Sequence, residues 1–394
     1  MGQHESRAVF DSLLAKTHVE HALLQPDGRH NDIPMALVTL LSIDGSPIQL
    51  QAVYESEKTG LGSWRPSPES ITDEAGKTQF LGDVRFQRAY MTYFSMENGR
   101  FMGNSKALAM SHLLTGPKPL IYGLFGGLGI PMVFLGDGIE LQSAILVVES
   151  LTLTAVDWTS QIHDLLTHPQ LARLADELLP PEEIIGRVSY DGRLSGLMKS
   201  GPGYHEVSNI FLNQSARAAV LDYVHKLDCR DIAVVLQQLS DLSVLMLCAT
   251  HKAGMPAFDF YLGHLPALVT SLRVLVETFL EEGHKMILVR GVWLLMVLAY
   301  ITQLRPVVNR ALVDSVELPE GGNVWLTMMS EFREERDSDL WLLRALRSLW
   351  ELGKASSSDM GDSLYGKAAW KLVSEWQRWT GLGGEKEETL NIRL

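Results

Sequence analysis

Residues 257–304 read AFDFYLGHLPALVTSLRVLVETFLEEGHKMILVRGVWLLMVLAYITQL. Apolar side chains recur there at intervals of three and four, as in Leu265, Leu268, Val269, Leu272, Leu275 and Val276. That is the spacing of one helical face, not the strict alternation of a half-buried strand. Each half of the stretch also exceeds an ordinary strand of about 5–6 residues. Two helices are therefore expected, over 257–282 and 285–304. Upstream, the same spacing predicts helices over Val207–Leu227 and Asp231–Thr250. Downstream it predicts them over Val307–Val316, Val324–Glu335, Asp337–Leu352 and Lys367–Trp379, with Asp, Ser or Asn near several starts as caps.

The first half of the chain reads the same way. Glu5–Leu24 is helical, which sets His18 and His21, three apart, on one face. GRHNDIPMALVTLLSIDGSP opens at a polar turn and continues as an apolar helix, with Pro34 in the first turn, where a helix tolerates it. Arg85–Glu97, Ala107–Leu114 and Ile139–Trp158 follow, the last with Glu140 and Glu149 embedded in it. Residues 55–84 are rich in Ser, Gly, Pro and charge and read as a long loop. Residues 164–207, with Pro180-Pro181 and SGLMKSGPGY, read as an irregular segment and the place where a subdivision would fall. The expectation is an all-α fold: one large multi-helix domain over 1–394 enclosing a hydrophobic cavity.

Charge and composition narrow the function. A net charge of −13 would repel a phosphate backbone, so nucleic acid is a poor partner. Two cysteines, Cys229 and Cys248, fit a reducing compartment, and MGQHESRAVF lacks the apolar core of a secretory signal, so a cytoplasmic location is expected. The uncharged run 119–136 is broken by glycines and prolines, and 286–301 falls short of the roughly 20 residues that span a bilayer. Both read as buried core, with no membrane span. The apolar helices serve equally as intramolecular core or as the face of a homodimer.

GLFGGLGIPMVFLGDG is not a dinucleotide loop, because Met132 stands where the third glycine belongs and no βαβ pattern surrounds it. Close helix packing explains these glycines better. Phosphate-binding, zinc-protease and serine-elbow motifs are absent as well. What remains is a scatter of histidines, of which His18, His21, His30 and His264 border strongly apolar segments. Their spacing alone is a weak argument for a shared metal site, and surface or hydrogen-bonded core histidines are the commoner reading.

RHNDIPMALVTLLSIDGSP, then Tyr54, FLGDVRFQRAYMTYFSMENG, GLFGGLGIPMVFLGDGIEL, FDFYLGH and DSDLWLLRALRSLW together resemble the questin oxidase-like family of fungal secondary metabolism, in the family's order along most of the chain. The resemblance implies a mostly helical protein that oxygenates and cleaves polyketide-derived quinones in a Baeyer–Villiger sense, with a non-haem iron held largely by histidines. The sequence departs from that pattern where ligands would stand. Asp32, Met35 with Ala36, Ile130, Phe134, Asp157 and Asp339 occupy histidine positions, and Arg290 replaces a lysine. His18, His21, His30, Asn31, His264, Glu140 and Glu149 are kept.

Ile, Phe and Met offer no hard donor, so iron in the family geometry is not expected. The leading expectation is a cofactor-independent, redox-neutral cyclase of Diels–Alder type acting on a hydrophobic polyketide or terpenoid precursor. Holding reacting carbons together can supply roughly 7–11 kcal/mol at the favourable end. His21, His30 or His264 would polarise a carbonyl. His18, Asn31, Met35, Ile130, Phe134, Glu149, Asp157 and Arg290 would contact the substrate. The alternative is an oxygenase with a remodelled iron site and NADPH, and the third reading is a non-catalytic carrier.

Overall fold

The computed structural model describes residues 2–116, 118–278, 281–319, 325, 339–356 and 363–383. The fold is all-α. Among the described residues the strands are β1 (Phe258–Asp259) and β2 (Trp379–Thr380), a parallel pair with Phe258 opposite Trp379. The chain packs as two compact units, Met1–His163 with Val274–His284, and Asp164–Arg273 with Lys285–Leu394.

The first unit contains α1 (Gly2–Glu20), α2 (Ile33–Ser42), α3 (Pro47–Glu57), α4 (Glu74–Gln79), α5 (Gln87–Arg100), α6 (Ser105–Leu114), α7 (Ile130–Glu140) and α8 (Ala144–Val156). α9 (Ser160–Leu166) leads out of it. Its centre is α8, buried at every position from Leu146 to Val156 and packed by α1, α5, α6 and α7. A helix surrounded on all sides needs no polar face, which is why AILVVESLTLTAV is apolar nearly all round. On α1 the stripe Phe10, Leu13, Leu14 and Thr17 is buried at helical spacing. Each such apolar side chain contributes about 1.5–3 kcal/mol by leaving water. His18 continues that stripe at the end of α1 and so reaches α8.

Ile139–Trp158, expected as one helix, is two. α7 ends at Glu140, Gln142 takes φ +53°, and the Ser143 side chain accepts the Leu146 N–H to start α8. The apolar spacing runs through the break, so only the Gly138-to-Ser143 capping chemistry marks it. The glycine-rich stretch before α7 is a 3-10 segment, Leu120–Gly129, with non-helical backbone at Gly126, Gly127 and Leu128. A Cβ on Gly126 would meet the Asp157 carbonyl at 2.2 Å, so glycine here permits close packing against the end of α8.

The long loop near 55–84 begins with the end of α3 and a 3-10 turn at Lys58–Gly60, and it carries α4, whose start Asp73 caps by accepting the Gly76 N–H. The irregular segment near 164–207 likewise holds α10 (Pro181–Tyr190).

The second unit continues with α11 (Val207–Leu212), α12 (Gln214–His225), α13 (Ile232–Cys248), most of α14 (Phe260–Thr278) and of α15 (Glu282–Thr302), whose residues 274–278 and 282–284 belong to the first unit, and α16 (Ala311–Asp314), followed by α17 (Leu340–Ser356) and α18 (Leu364–Glu375). The predicted helix Val207–Leu227 is divided at Asn213, which caps α12. Val307–Val316 shrinks to the four residues of α16. The helix expected over Val324–Glu335 lies outside the described residues apart from Trp325.

Two segments, Leu120–Glu140 and Glu282–Thr302, are long and apolar enough to cross a membrane, but 89% and 78% of the apolar 18-residue stretch within each is buried inside the fold. In the second, every residue from Val292 to Thr302 is buried, and Trp293 donates its indole N–H to the Tyr223 carbonyl at 3.0 Å.

Candidate functional site

Two histidine–carboxylate pairs stand on α8 in the first unit. His18 Nδ1 lies 2.9 Å from Glu149 Oε1, and His30 Nε2 lies 2.8 Å from Asp157 Oδ2. Glu149 and Asp157 are eight residues apart, so along the helix axis they are separated by about 12 Å. They are therefore two separate polar positions inside an apolar shell.

Local structure explains how the histidines arrive there. α1 delivers His18 directly. Beyond it the chain turns back on itself: Leu24 and His30 form an antiparallel bridge, and the Asn31 N–H donates to the Leu23 carbonyl at 2.7 Å. This returns His30 to the end of α8. His21 begins the turn and is bridged to Ser63, while the Ala22 N–H donates to the Gly62 carbonyl at 3.0 Å. Trp64 donates its indole N–H to the His18 carbonyl at 3.0 Å.

The electrostatics differ between the positions. Glu149 is fully buried, and its Oε2 finds no hydrogen-bond partner among the described residues. Burial raises its carboxyl above the ordinary range, with His18 opposing. Burial alone would lower His30, but the hydrogen bond and charge of Asp157 outweigh it and the imidazole is raised. His21 is lowered by burial, only partly offset by Glu20, whose Oε2 is 3.9 Å away. Both of its ring nitrogens are buried without a hydrogen-bond partner. Burial thus favours the uncharged form of this imidazole. Glu20 is itself taken by Tyr54, whose hydroxyl donates at 3.0 Å and is pushed up to about 12 by burial and by that carboxylate.

The other anticipated residues fall elsewhere. Asn31 is occupied structurally: its amide donates to Thr17 Oγ1 at 3.2 Å and accepts the Ile33 N–H at the start of α2. Met35, Ile130 and Phe134 are buried in α2 and α7. His264 lies in the second unit, buried on α14 with its ring 6.4 Å edge-on from Trp341. Arg290, also in the second unit, donates to the Leu171 carbonyl at 2.9 Å. Sequence reading missed Trp64, in a stretch read only as loop, and Gly127, which lies against His30 and Asp157. The glycine cluster was the available signal for the second.

The iron that the family resemblance implies does not fit these residues. Among the described residues no three His, Cys, Asp or Glu side chains come together to hold a metal. Glu149 and Asp157 are too far apart along α8 to share one ion with bonds of about 2 Å.

The first unit also opens into a cleft of about 690 Å³. Ala22, Leu24, Gly62, Ser63 and Trp64 line it, on the segments that carry His18 and His21. Met35, Ile130 and Phe134 do not.

The chain is 26% identical over 289 residues to a questin oxidase of Aspergillus terreus, covering 66% of this chain and 61% of that protein. It is 29% identical over 169 residues to a Baeyer–Villiger monooxygenase of Cryptosporiopsis sp., covering 40% of this chain and 37% of the relative. A Baeyer–Villiger oxidase of Paecilomyces divaricatus is 26% identical, over 44% of this chain and 38% of its own length. The chain thus spans less than two thirds of each of these relatives. The model of the Questin oxidase-like family matches residues 29–349, from beside His30 to the middle of α17, and the protein belongs to that family.

Proposed function

We propose that the chain is an enzyme of fungal secondary metabolism that closes a ring in a hydrophobic polyketide or terpenoid precursor without net oxidation, in the manner of a Diels–Alder reaction. The observation carrying this reading is His21, a half-buried imidazole whose ring nitrogens both lack a hydrogen-bond partner and whose pKa burial lowers. Such a group gives a hydrogen bond to a substrate carbonyl and makes the conjugated alkene more electrophilic. The pairs His18–Glu149 and His30–Asp157 hold their own imidazoles in fixed orientation. Apolar enclosure then supplies proximity, the larger part of the acceleration.

A second reading, Baeyer–Villiger-type oxygenation with iron or NADPH, is favoured by the names of the relatives. The described residues offer it no three-donor set.

Turnover of candidate precursors under anoxia, in chelator-treated protein and without nicotinamide, separates the two. The cyclase reading expects product with unchanged mass, and His21→Leu lowers kcat by roughly 10²-fold, the contribution of one well-placed donor. A requirement for dioxygen and reductant, or activity proportional to about one bound iron per chain, overturns it.

A further inference from the structure

We propose that His18, held by Glu149, is a general base that takes a proton from the carbon beside a substrate carbonyl, so that the enzyme makes the enol of its substrate before the ring closes. This rests on the reading above and adds to it an isomerising step. The pair meets with the acid inside and the imidazole at the edge: the Glu149 side chain is 0% exposed and that of His18 is 19% exposed. Nδ1 faces Glu149 Oε1 at 2.9 Å, while Nε2 has no hydrogen-bond partner among the described residues and is not buried. A carboxylate on Nδ1 keeps the proton there and leaves the Nε2 lone pair turned outward, the form of an imidazole that accepts a proton.

His21, His30 and His112 are arranged differently. Both ring nitrogens of His21 are buried. His30 faces a carboxylate that is itself 11% exposed, and the Gly127 backbone closes on the Cε1–Nε2 edge of its ring. His112 has the Lys77 ammonium 3.4 Å from Nδ1, and its Nε2 is buried. The support under His18 is rigid as well. Trp64 donates to the His18 carbonyl at 3.0 Å, and Glu149 belongs to α8, which is buried at every position from Leu146 to Val156. Glu149 Oε2 has no hydrogen-bond partner among the described residues, so no second bond draws the carboxylate away from the imidazole. Burial raises that carboxyl, which makes it a strong acceptor for the Nδ1 proton once Nε2 has taken another.

In the step itself the C–H bond breaks, its proton goes to Nε2, and its electron pair forms the C=C bond of an enolate whose charge rests on the carbonyl oxygen. That oxygen then recovers a proton from the imidazolium or from water, giving the enol with nothing oxidised or reduced. An unsaturated ketone becomes a dienol in this way, and a diene is what a Diels–Alder closure consumes. His21 follows three residues on, and its N–H donates to the Thr17 carbonyl at 2.9 Å, so the helical spacing extends to it. The Cβ atoms of such a pair are about 5–6 Å apart, which lets the base and the donor to the carbonyl serve one substrate.

The test is hydrogen–deuterium exchange in heavy water at the benzylic carbon of 2-tetralone, a ketone with an acidic C–H, followed by proton NMR with the full chain. Exchange is expected about 10²-fold faster than in buffer alone, the contribution of one placed base. His18→Gly should return it to the buffer rate, and added imidazole should restore it, which a variant that had merely unfolded would not allow. Glu149→Gln, which acts on the position and strength of the base, should lower the maximal exchange rate about tenfold at an unchanged half-saturating ketone concentration. Exchange no faster than in buffer overturns the proposal, as does exchange indifferent to His18→Gly or a loss that imidazole leaves unrestored. Exchange requires no ring closure, so the outcome is separable from the cyclase reading. Ring closure at an unchanged rate in His18→Gly removes the base and keeps the cyclase, whereas imidazole-restored exchange in a chain that closes no ring does the reverse.

Discussion

His30 Cε1 lies 2.8 Å from the point where a Cβ on Gly127 would sit, and Gly127 holds φ at +52°. Asp157 Oδ2, which receives the His30 ring, is 3.1 Å from the same point. The glycine-rich stretch before α7 therefore presses bare backbone onto a histidine–carboxylate pair. A side chain there would have to displace one partner or the other.

Gly127→Ala is accordingly expected to destabilise the protein. The left-handed backbone alone costs about 1–2 kcal/mol for a residue with a Cβ, and the contact with His30 adds to it. Denaturant unfolding measures the loss. A variant as stable as the parent would show that the loop yields freely and that the pair does not depend on it.

Asp157→Asn should reverse the direction in which His30 titrates. With the carboxylate present the imidazole is raised above its ordinary value of 6.5; without it burial, the largest influence and a lowering one, is opposed only by the weaker charge of Asp32. Histidine ring signals followed by NMR across pH 4–9 report this directly. A ring that titrates above the ordinary range in both proteins would remove Asp157 as the cause.

Glu149 should make stability fall as pH rises, the opposite of an ion-paired surface carboxylate. Its carboxyl is raised in the folded state by burial, so between the unfolded value of 4.5 and the folded one the native chain binds more protons than the unfolded chain. The contribution is complete below 4.5 and disappears as pH climbs through the folded value. Glu149→Gln does not titrate. Its stability relative to the parent should therefore improve on going from pH 4.5 upward, read from urea midpoints at each pH. A constant difference across that range would mean that Glu149 is ionised throughout.

Lys77 is a separate case, a lysine only 1% exposed whose Nζ lies 2.7 Å from Glu74 and 3.4 Å from His112. Burial and that ammonium drive His112 down to about 4. Removing one partner of such a group leaves a buried charge, so Glu74→Ala should cost about 1–3 kcal/mol. Lys77→Met, which removes the charge and keeps the apolar stem, should cost less than Glu74→Ala. Thermal unfolding of the two variants side by side decides it, and the reverse order would mean that the ammonium is solvated.

The all-α architecture could be read from the chain because helical spacing is a local property: the stripe Phe10, Leu13, Leu14 and Thr17 is visible without knowing what covers it. The turn at Asn31 and Pro34 and the packing role of the glycines before α7 were legible for the same reason, since turn chemistry and the lack of a Cβ act on neighbours in the chain. The end of α7 was not, because apolar spacing continues across Gln142 and the break depends on a backbone conformation. The histidines could be singled out by their apolar flanks, but their partners could not be assigned. Pairing His18 with Glu149 spans 131 positions and His30 with Asp157 spans 127, and no local pattern encodes which carboxylate a distant imidazole meets. The sequence by itself determined that the chain is helical and acidic. Only the tertiary structure decided that two histidines meet two acids along one buried helix and its end, and that the His21 ring nitrogens are left without a hydrogen-bond partner, because burial and hydrogen bonding are set by which surfaces come together in space.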